Sequence, residues 1–360
     1  MKKNDSNKKT WLKITCIALI ALVFANWFTS EEAWRKVSST PLALPEGVSD
    51  EMRESLREDP PMRATLYKLV FKFMSVSRLM EQVAEADALQ AASVEEIADK
   101  LSVSIEQDTI DGVNVYWLTP EIIDPKHEDH LFVNLHGGGY IMGAGMSGNI
   151  EAVLIAARAK VKVLAVDYRM PPEHPAPAGL NDVTAVWKYL LQSRSADSMA
   201  LGGTSAGGGL TLGSTHNFKD LGLELPGALY AGTPGGDCHK TGDSHYVNEG
   251  IDRALISWHG VLRMVCEDMY PGELGANHPY VSPLRGEFEN FPPTYLISGT
   301  RDLLLSDTVL VHRKLRRAGV EADLHIYEAQ SHADYIKVLD SPESKEHYSE
   351  LNAFLLKHLR

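Results

Sequence analysis

The sequence predicts an α/β protein built on a mostly parallel, eight-stranded twisted sheet flanked by helices. Two alternating runs in "SVSIEQDTIDGVNVYWLT" (102–119) meet at Asp111-Gly112, a hairpin signal. Six short apolar runs follow, "LFVNL", "VKVLAVDY", "MALGG", "GALYAG", "TYLISG" and "ADLHIYE", separated by helical segments. Buried parallel strands with crossover helices produce that rhythm. A third observation is "LGGTSAGGGL" (201–210), where five glycines surround Ser205 at a strand end.

The chain of 360 residues fits one large α/β domain with an appendage. Its 44% hydrophobic and 23% charged residues exclude a disordered or collagen-like chain. A net charge of -13 opposes nucleic-acid binding, because no basic excess is available to replace counterions on phosphates; a small neutral substrate fits better.

The N-terminus differs in kind from the rest. "MKKNDSNKKTWLK" carries five lysines, "ITCIALIALVF" is apolar, and Val23-Phe24-Ala25 offers small residues for cleavage. Residues 1–25 therefore read as an export signal, giving a periplasmic or secreted protein. A retained membrane anchor is the alternative, and membrane association is expected only through this segment. Cys16 sits inside the apolar run, which argues against a lipoprotein. Residues 26–95 read as helical. Ser49 precedes an acidic turn and Pro60-Pro61 end that helix. A second helix carries Leu66, Leu69, Val70, Phe73, Met80 and Val83 on one face for docking, and Ser93 with Glu96 forms a capping box that starts a third. The catalytic domain then runs over 96–360. Between Pro234 and Phe291 the strand rhythm breaks, with a helix expected around "SWHGVLRMVCEDMY". No internal repeat occurs. Cys16, Cys238 and Cys266 are too few for a disulfide framework and lack metal-ligand spacing, so Cys238 and Cys266 read as buried free thiols that pair only if the protein is exported.

Gly203-Thr204-Ser205-Ala206-Gly207 is a G-x-S-x-G pattern between a strand and a helix. A serine on so tight a turn needs a strained backbone, and glycines two positions away remove the collisions it would cause. A phosphate-binding loop would need Lys-Ser or Lys-Thr after the last glycine, and none is present. A nucleophile also requires a base and oxyanion donors. His136-Gly137-Gly138-Gly139, Asp302 and His332 end other strands, and the order Ser, Asp, His suits an assembly across one sheet. Gly143 to Gly148 matches G-x-G-x-x-G with Asp167 about 20 residues on. Seven residues separate it from its strand, however, so it reads as shaping the donor loop rather than holding a dinucleotide. Asp307 rivals Asp302. His136 and His174 read as loop-stabilising, His325 alternates within a strand, and Asp237, His239, Asp243 and His245 read as solvated rather than metal-binding. No metal and no cofactor are expected.

Taken together, "HGGGY", "VDYRMPPEHPAPAGLNDV", "GGTSAGGGL", "GTRDLLLSD" and "SHAD" resemble the bacterial hormone-sensitive-lipase-like esterases of the α/β-hydrolase superfamily over roughly residues 100 to 360. The resemblance implies an α/β-hydrolase fold with Ser205 as nucleophile, His332 as general base and acid, and Asp302 as the orienting carboxylate. It also implies an oxyanion hole from the N–H groups of Gly137, Gly138 and Ala206. Thr204 places the chain in the branch with Thr before the serine, where other members have Asp, and Arg169-Met170-Pro171-Pro172-Glu173 departs from the usual "RLAPE". Residues 26–95 and about 235–278 would form a cap. The implied activity is hydrolysis of short acyl esters, with lactone or amide cleavage or a non-catalytic binding role as alternatives. The partner is a small-molecule ester, and self-association as a homodimer is left open.

Overall fold

Asp111 and Gly112 both adopt positive φ, 48° and 81°, the geometry that lets a two-residue turn follow the twist of its strands. They join β1 (Val103–Ile110) to β2 (Val113–Pro120), with Ile110 opposite Val113. The computed structural model describes residues 44–58 and 64–360. The expected export signal and the Pro60-Pro61 helix stop lie outside the described residues.

The remaining strands are β3 (Leu131–Leu135), β4 (Lys162–Val166), β5 (Met199–Thr204), β6 (Ala228–Gly232), β7 (Thr294–Gly299) and β8 (Ala322–Tyr327). They form one sheet in the order β1-β2-β4-β3-β5-β6-β7-β8. Pairing is antiparallel from β1 to β2 and from β2 to β4, and parallel throughout the rest. This is the α/β-hydrolase architecture that the sequence predicts.

Strands β3, β5, β6 and β7 are buried along their whole length, which is why their sequences lack polar alternation. Successive residues feed two cores on opposite sheet faces. Leu131, Val133, Leu201 and Leu229 pack with α5 (Ala178–Leu190), α6 (Ala206–Asp220) and α7 (Leu305–Arg317). Phe132, Ala200, Tyr230 and Tyr295 pack with α4 (Ile150–Ala159) and α8 (Pro342–His358). Each fully buried leucine or phenylalanine in these layers contributes about 1.5–3 kcal/mol.

The N-terminal helices depart from the sequence reading. α1 (Asp50–Glu58) and α2 (Ala64–Lys72) precede a 25-residue α3 (Val76–Lys100), whose N-cap is Ser75. Ser93 starts no helix; inside α3 its Oγ donates to the Leu89 carbonyl at 3.3 Å. The break before Ser75 also changes the phase of the apolar stripe. Leu79 and Val83 are buried, whereas Leu66, Leu69, Val70 and Phe73 are exposed.

The helix expected in the segment after β6 runs over residues 261–269. Val261–Arg263 is one turn that widens over Met264–Met269, with Tyr270 N–H donating to Val265 O at 2.7 Å. That turn brings Cys266 to Cys238, and the two form a disulfide with a Cα separation of 5.1 Å. The free-thiol expectation is thereby corrected. A separation of 28 residues carries no pairing signal by itself, and the contact exists only once the chain has folded back over the sheet.

Arg253 ties three segments together. Its guanidinium meets Asp334 at 3.0 Å and donates to Ser55 O and Oγ at 2.6 and 2.8 Å, while its N–H donates to Ser331 Oγ at 3.2 Å. Arg253 and Asp334 are both buried. Arg253→Ala leaves a buried carboxylate unpaired and is expected to cost about 3–5 kcal/mol, read as a lower urea midpoint. An unchanged midpoint would mean that these segments hold together without it.

Candidate active site

β5 ends at Thr204 and α6 begins at Ala206, leaving Ser205 as the whole turn at φ 62° and ψ -119°. A β-carbon on Gly203 or Gly207 would collide with the Leu135 carbonyl at the end of β3, so the two glycines let β3 and α6 close on the turn. Ser205 N–H donates to Gly232 O at 2.8 Å, and its own carbonyl accepts from Gly209 and Gly235 N–H at 2.9 and 3.1 Å. The side chain is thus presented from a backbone that cannot relax.

The structure brings Ser205, His332 and Asp302 together from three strand ends. Ser205 Oγ lies 2.8 Å from His332 Nε2, and His332 Nδ1 lies 3.1 Å from Asp302 Oδ1. With Nδ1 protonated and donating to Asp302, Nε2 offers its lone pair to the serine hydroxyl. Asp302 is fully buried yet well supplied with donors: Leu304 N–H at 2.8 Å, Ser298 Oγ at 2.9 Å and Thr233 Oγ1.

Burial alone would raise the Asp302 pKa, but the charge and hydrogen bond of His332 together with these donors hold it below the ordinary value. Burial alone would lower His332. The charge and hydrogen bond of Asp302, reinforced by the charge of Asp252, lift it above its ordinary value instead.

Several contributors left no motif in the sequence. Asp252, from the segment after β6, accepts from Leu303 N–H at 2.8 Å, and Asn248 Nδ2 donates to Asp302 O at 2.7 Å. Both hold the loop that carries Asp302. Beneath the turn, Glu151 accepts from Thr204 N–H at 3.1 Å and Tyr230 OH at 2.9 Å. Burial pushes its pKa up to about 7 against the pull of those donors. A buried carboxylate thus supports the residue before the serine although position 204 is itself a threonine.

The rival residues go elsewhere. Asp307 accepts from Gly236 and Asp237 N–H at 3.2 and 3.3 Å and meets His245 Nε2 at 3.1 Å. His136 stacks on Tyr168 at 4.2 Å between ring centroids, and His325 pairs with Glu350 at 3.0 Å. In the G-x-G-x-x-G stretch, Gly143 N–H donates to Asp87 and Gly145 N–H to Asp167, both at 2.9 Å, so carboxylates already occupy those amides. Asp237 pairs with His239 and Arg285. A cavity of about 40 Å³ opens beside Ser205, walled by Gly139, Tyr140, Ala206, Trp258 and Val265. Gly137 and Gly138 lie in the same turn as Gly139, with φ of 107° at Gly138.

The sequence model of a family described as alpha/beta hydrolase fold matches residues 132–336, a span containing Ser205, Asp302 and His332. The chain belongs to the α/β-hydrolase family. Within it, this hydrolase stands with the hormone-sensitive-lipase-like esterases. Its fold is similar to the crystal structure of esterase E25, with 45% identity and a TM-score of 0.86 over 90% of this chain and 99% of that one. It is also similar to an esterase from the bacterial hormone-sensitive lipase family, with 27% identity and a TM-score of 0.67 over 80% and 100% of the two chains. An acetyl-hydrolase of Streptomyces hygroscopicus is 29% identical over 68% of this chain and 82% of its own length. An esterase of Acinetobacter venetianus is 27% identical over 62% and 74%.

Gly207→Ala sets a methyl group against the Leu135 carbonyl. Overpacking of this kind costs about 1–3 kcal/mol, and a backbone partner that cannot rotate away places it at the upper end. The expected result is a melting temperature several degrees lower; an unchanged one would mean that the turn does not need the close approach.

Proposed function

We propose that this α/β-hydrolase, a carboxylic ester hydrolase by family, is a serine esterase that cleaves short-chain acyl esters through an acyl-enzyme on Ser205. The observation that carries the reading is the continuous relay from Ser205 Oγ through His332 to the buried Asp302, at 2.8 and 3.1 Å. Its exposed end meets a cavity of about 40 Å³, a size that suits a short acyl arm.

The chemistry follows from that relay. His332 takes the Ser205 proton as Oγ attacks the ester carbonyl, and Asp302 stabilises the imidazolium that forms. The N–H groups of Gly137, Gly138 and Ala206 stabilise the oxyanion; each such donor is worth about 10²–10³ in turnover. His332 then protonates the departing alkoxide, and water repeats the sequence on the acyl-enzyme. No step needs a metal or cofactor. Helices α1 to α3 and the segment around 235–278 serve as the cap, with residues 248–253 bonded to the loops that carry Asp302 and His332. We place the protein outside the cytoplasm. The five-lysine, apolar N-terminus and the Cys238–Cys266 disulfide both support export.

Hydrolysis of p-nitrophenyl esters from acetate to palmitate tests the function. Fast cleavage of acetate or butyrate, decline with length, and an inert but folded Ser205→Ala variant are expected. Equal inactivity of both proteins would overturn the reading.

The pH profile has a defined sign. His332 must be neutral to accept the proton, and its pKa is raised above 6.5, so kcat/KM should fall tenfold per pH unit below a limb lying above pH 6.5. Asp302→Asn removes the lifting charge, moving that limb to lower pH and reducing kcat by about 10⁴. A limb that stays in place would exclude Asp302 as the partner of the base.

A further inference from the structure

Two spaces share the Cys238–Cys266 disulfide in their walls. One is the small cavity beside Ser205, whose other walls include Tyr140, Leu262, Val265 and Val281. The other is an open cleft of about 570 Å³, lined by His239, Lys240, His259 and Glu267. Cys238, Cys266 and Trp258 line both. The first space is largely apolar and reaches the serine, whereas the second is larger, carries charged and polar side chains, and does not reach it.

Both ends of this wall are anchored. Cys238 N–H donates to Ser282 Oγ at 2.8 Å, and Ser282 Oγ in turn donates to Ala276 O at 2.6 Å. Cys266 sits in the widened turn Met264–Met269, whose Met264, Val265 and Met269 are buried. The disulfide joins these two anchored segments, and both of its cysteines line both spaces. Trp258 adds the rest of the wall, its ring 5.0 Å from that of His245.

We propose that the Cys238–Cys266 disulfide is a specificity determinant, a partition that closes the far end of the cavity beside Ser205 and so limits the length of the ester arm that enters it. This rests on the esterase reading. With the partition in place, a short arm fills the cavity and a longer one meets the sulfur atoms. Without it, the cavity continues into the polar cleft, and longer arms fit, including those ending in a polar group. The disulfide therefore acts on substrate choice, and not only as a cross-link.

The test compares wild type with the Cys238→Ala/Cys266→Ala and Cys238→Val/Cys266→Val pairs, using p-nitrophenyl acetate, butyrate, hexanoate and octanoate and a matching series of acetate esters of longer alcohols. Both series are needed because either arm of the ester can be the one that enters. The expected result is that the alanine pair lowers the short-to-long ratio of kcat/KM by about tenfold or more in one series, the scale on which a pocket discriminates methylenes. The valine pair, which refills the wall without a covalent bond, should restore most of the wild-type ratio. Should the alanine pair fail to fold, the single variants Cys238→Ala and Cys266→Ala, each of which removes one sulfur atom from the wall, take its place and should shift the ratio the same way. An unchanged ratio in both series, or a valine pair indistinguishable from the alanine pair, overturns the proposal. Wild type inactive on every ester would instead overturn the esterase reading.

Discussion

A serine held at φ 62° between a strand and a helix is a strained arrangement, and it persists only where the surroundings leave no alternative. Here those surroundings are the Leu135 carbonyl on one side, approached through Gly203 and Gly207, and the Gly232 carbonyl on the other, which takes the Ser205 N–H. The order β3-β5-β6 supplies both neighbours. Everything else at the site is referred to this fixed point: Thr233 follows β6, β7 leads to Asp302, and the turn after β8 carries His332 to within 2.8 Å of the serine oxygen.

Charge is organised around the same point. One imidazole is influenced by two buried carboxylates, Asp302 through its charge and a direct hydrogen bond and Asp252 through its charge, so its protonated form is favoured despite burial. Asp252 comes from the irregular segment after β6, and its neighbours Asn248 and Arg253 bond to the Asp302 loop and the His332 loop respectively. The segment after β6 thus helps to set the geometry of the site. On the other side of the sheet, Glu151 binds the backbone and hydroxyl of Thr204, so the residue preceding the serine is held from below by a carboxylate on a different element.

What was legible in the sequence was whatever local chemistry imposes. Asp111-Gly112 announces a turn because few other pairs accept two positive φ values, and Gly203 and Gly207 announce the strained serine because a methyl group at either position would not fit. Burial on both faces made the central strands continuous apolar runs. Features created by tertiary contact were not legible. Ser93 and Glu96 satisfy a capping pattern, yet α3 passes straight through them, because the residues on either side pack as one helix. The cysteine pair depends on a fold-back across 28 residues, and Glu151 and Asp252 become meaningful only when their carboxylates meet amides from distant segments.

The most direct measurement is covalent trapping of the proposed nucleophile. The purified protein would be treated with phenylmethylsulfonyl fluoride and examined by intact-mass and peptide mass spectrometry, alongside folded Ser205→Ala. One sulfonyl group on the peptide containing Ser205, absent from the variant and accompanied by loss of ester hydrolysis, is the expected outcome. Full activity after treatment, or a label that persists in the variant and still abolishes activity, would contradict a reaction that runs through Ser205.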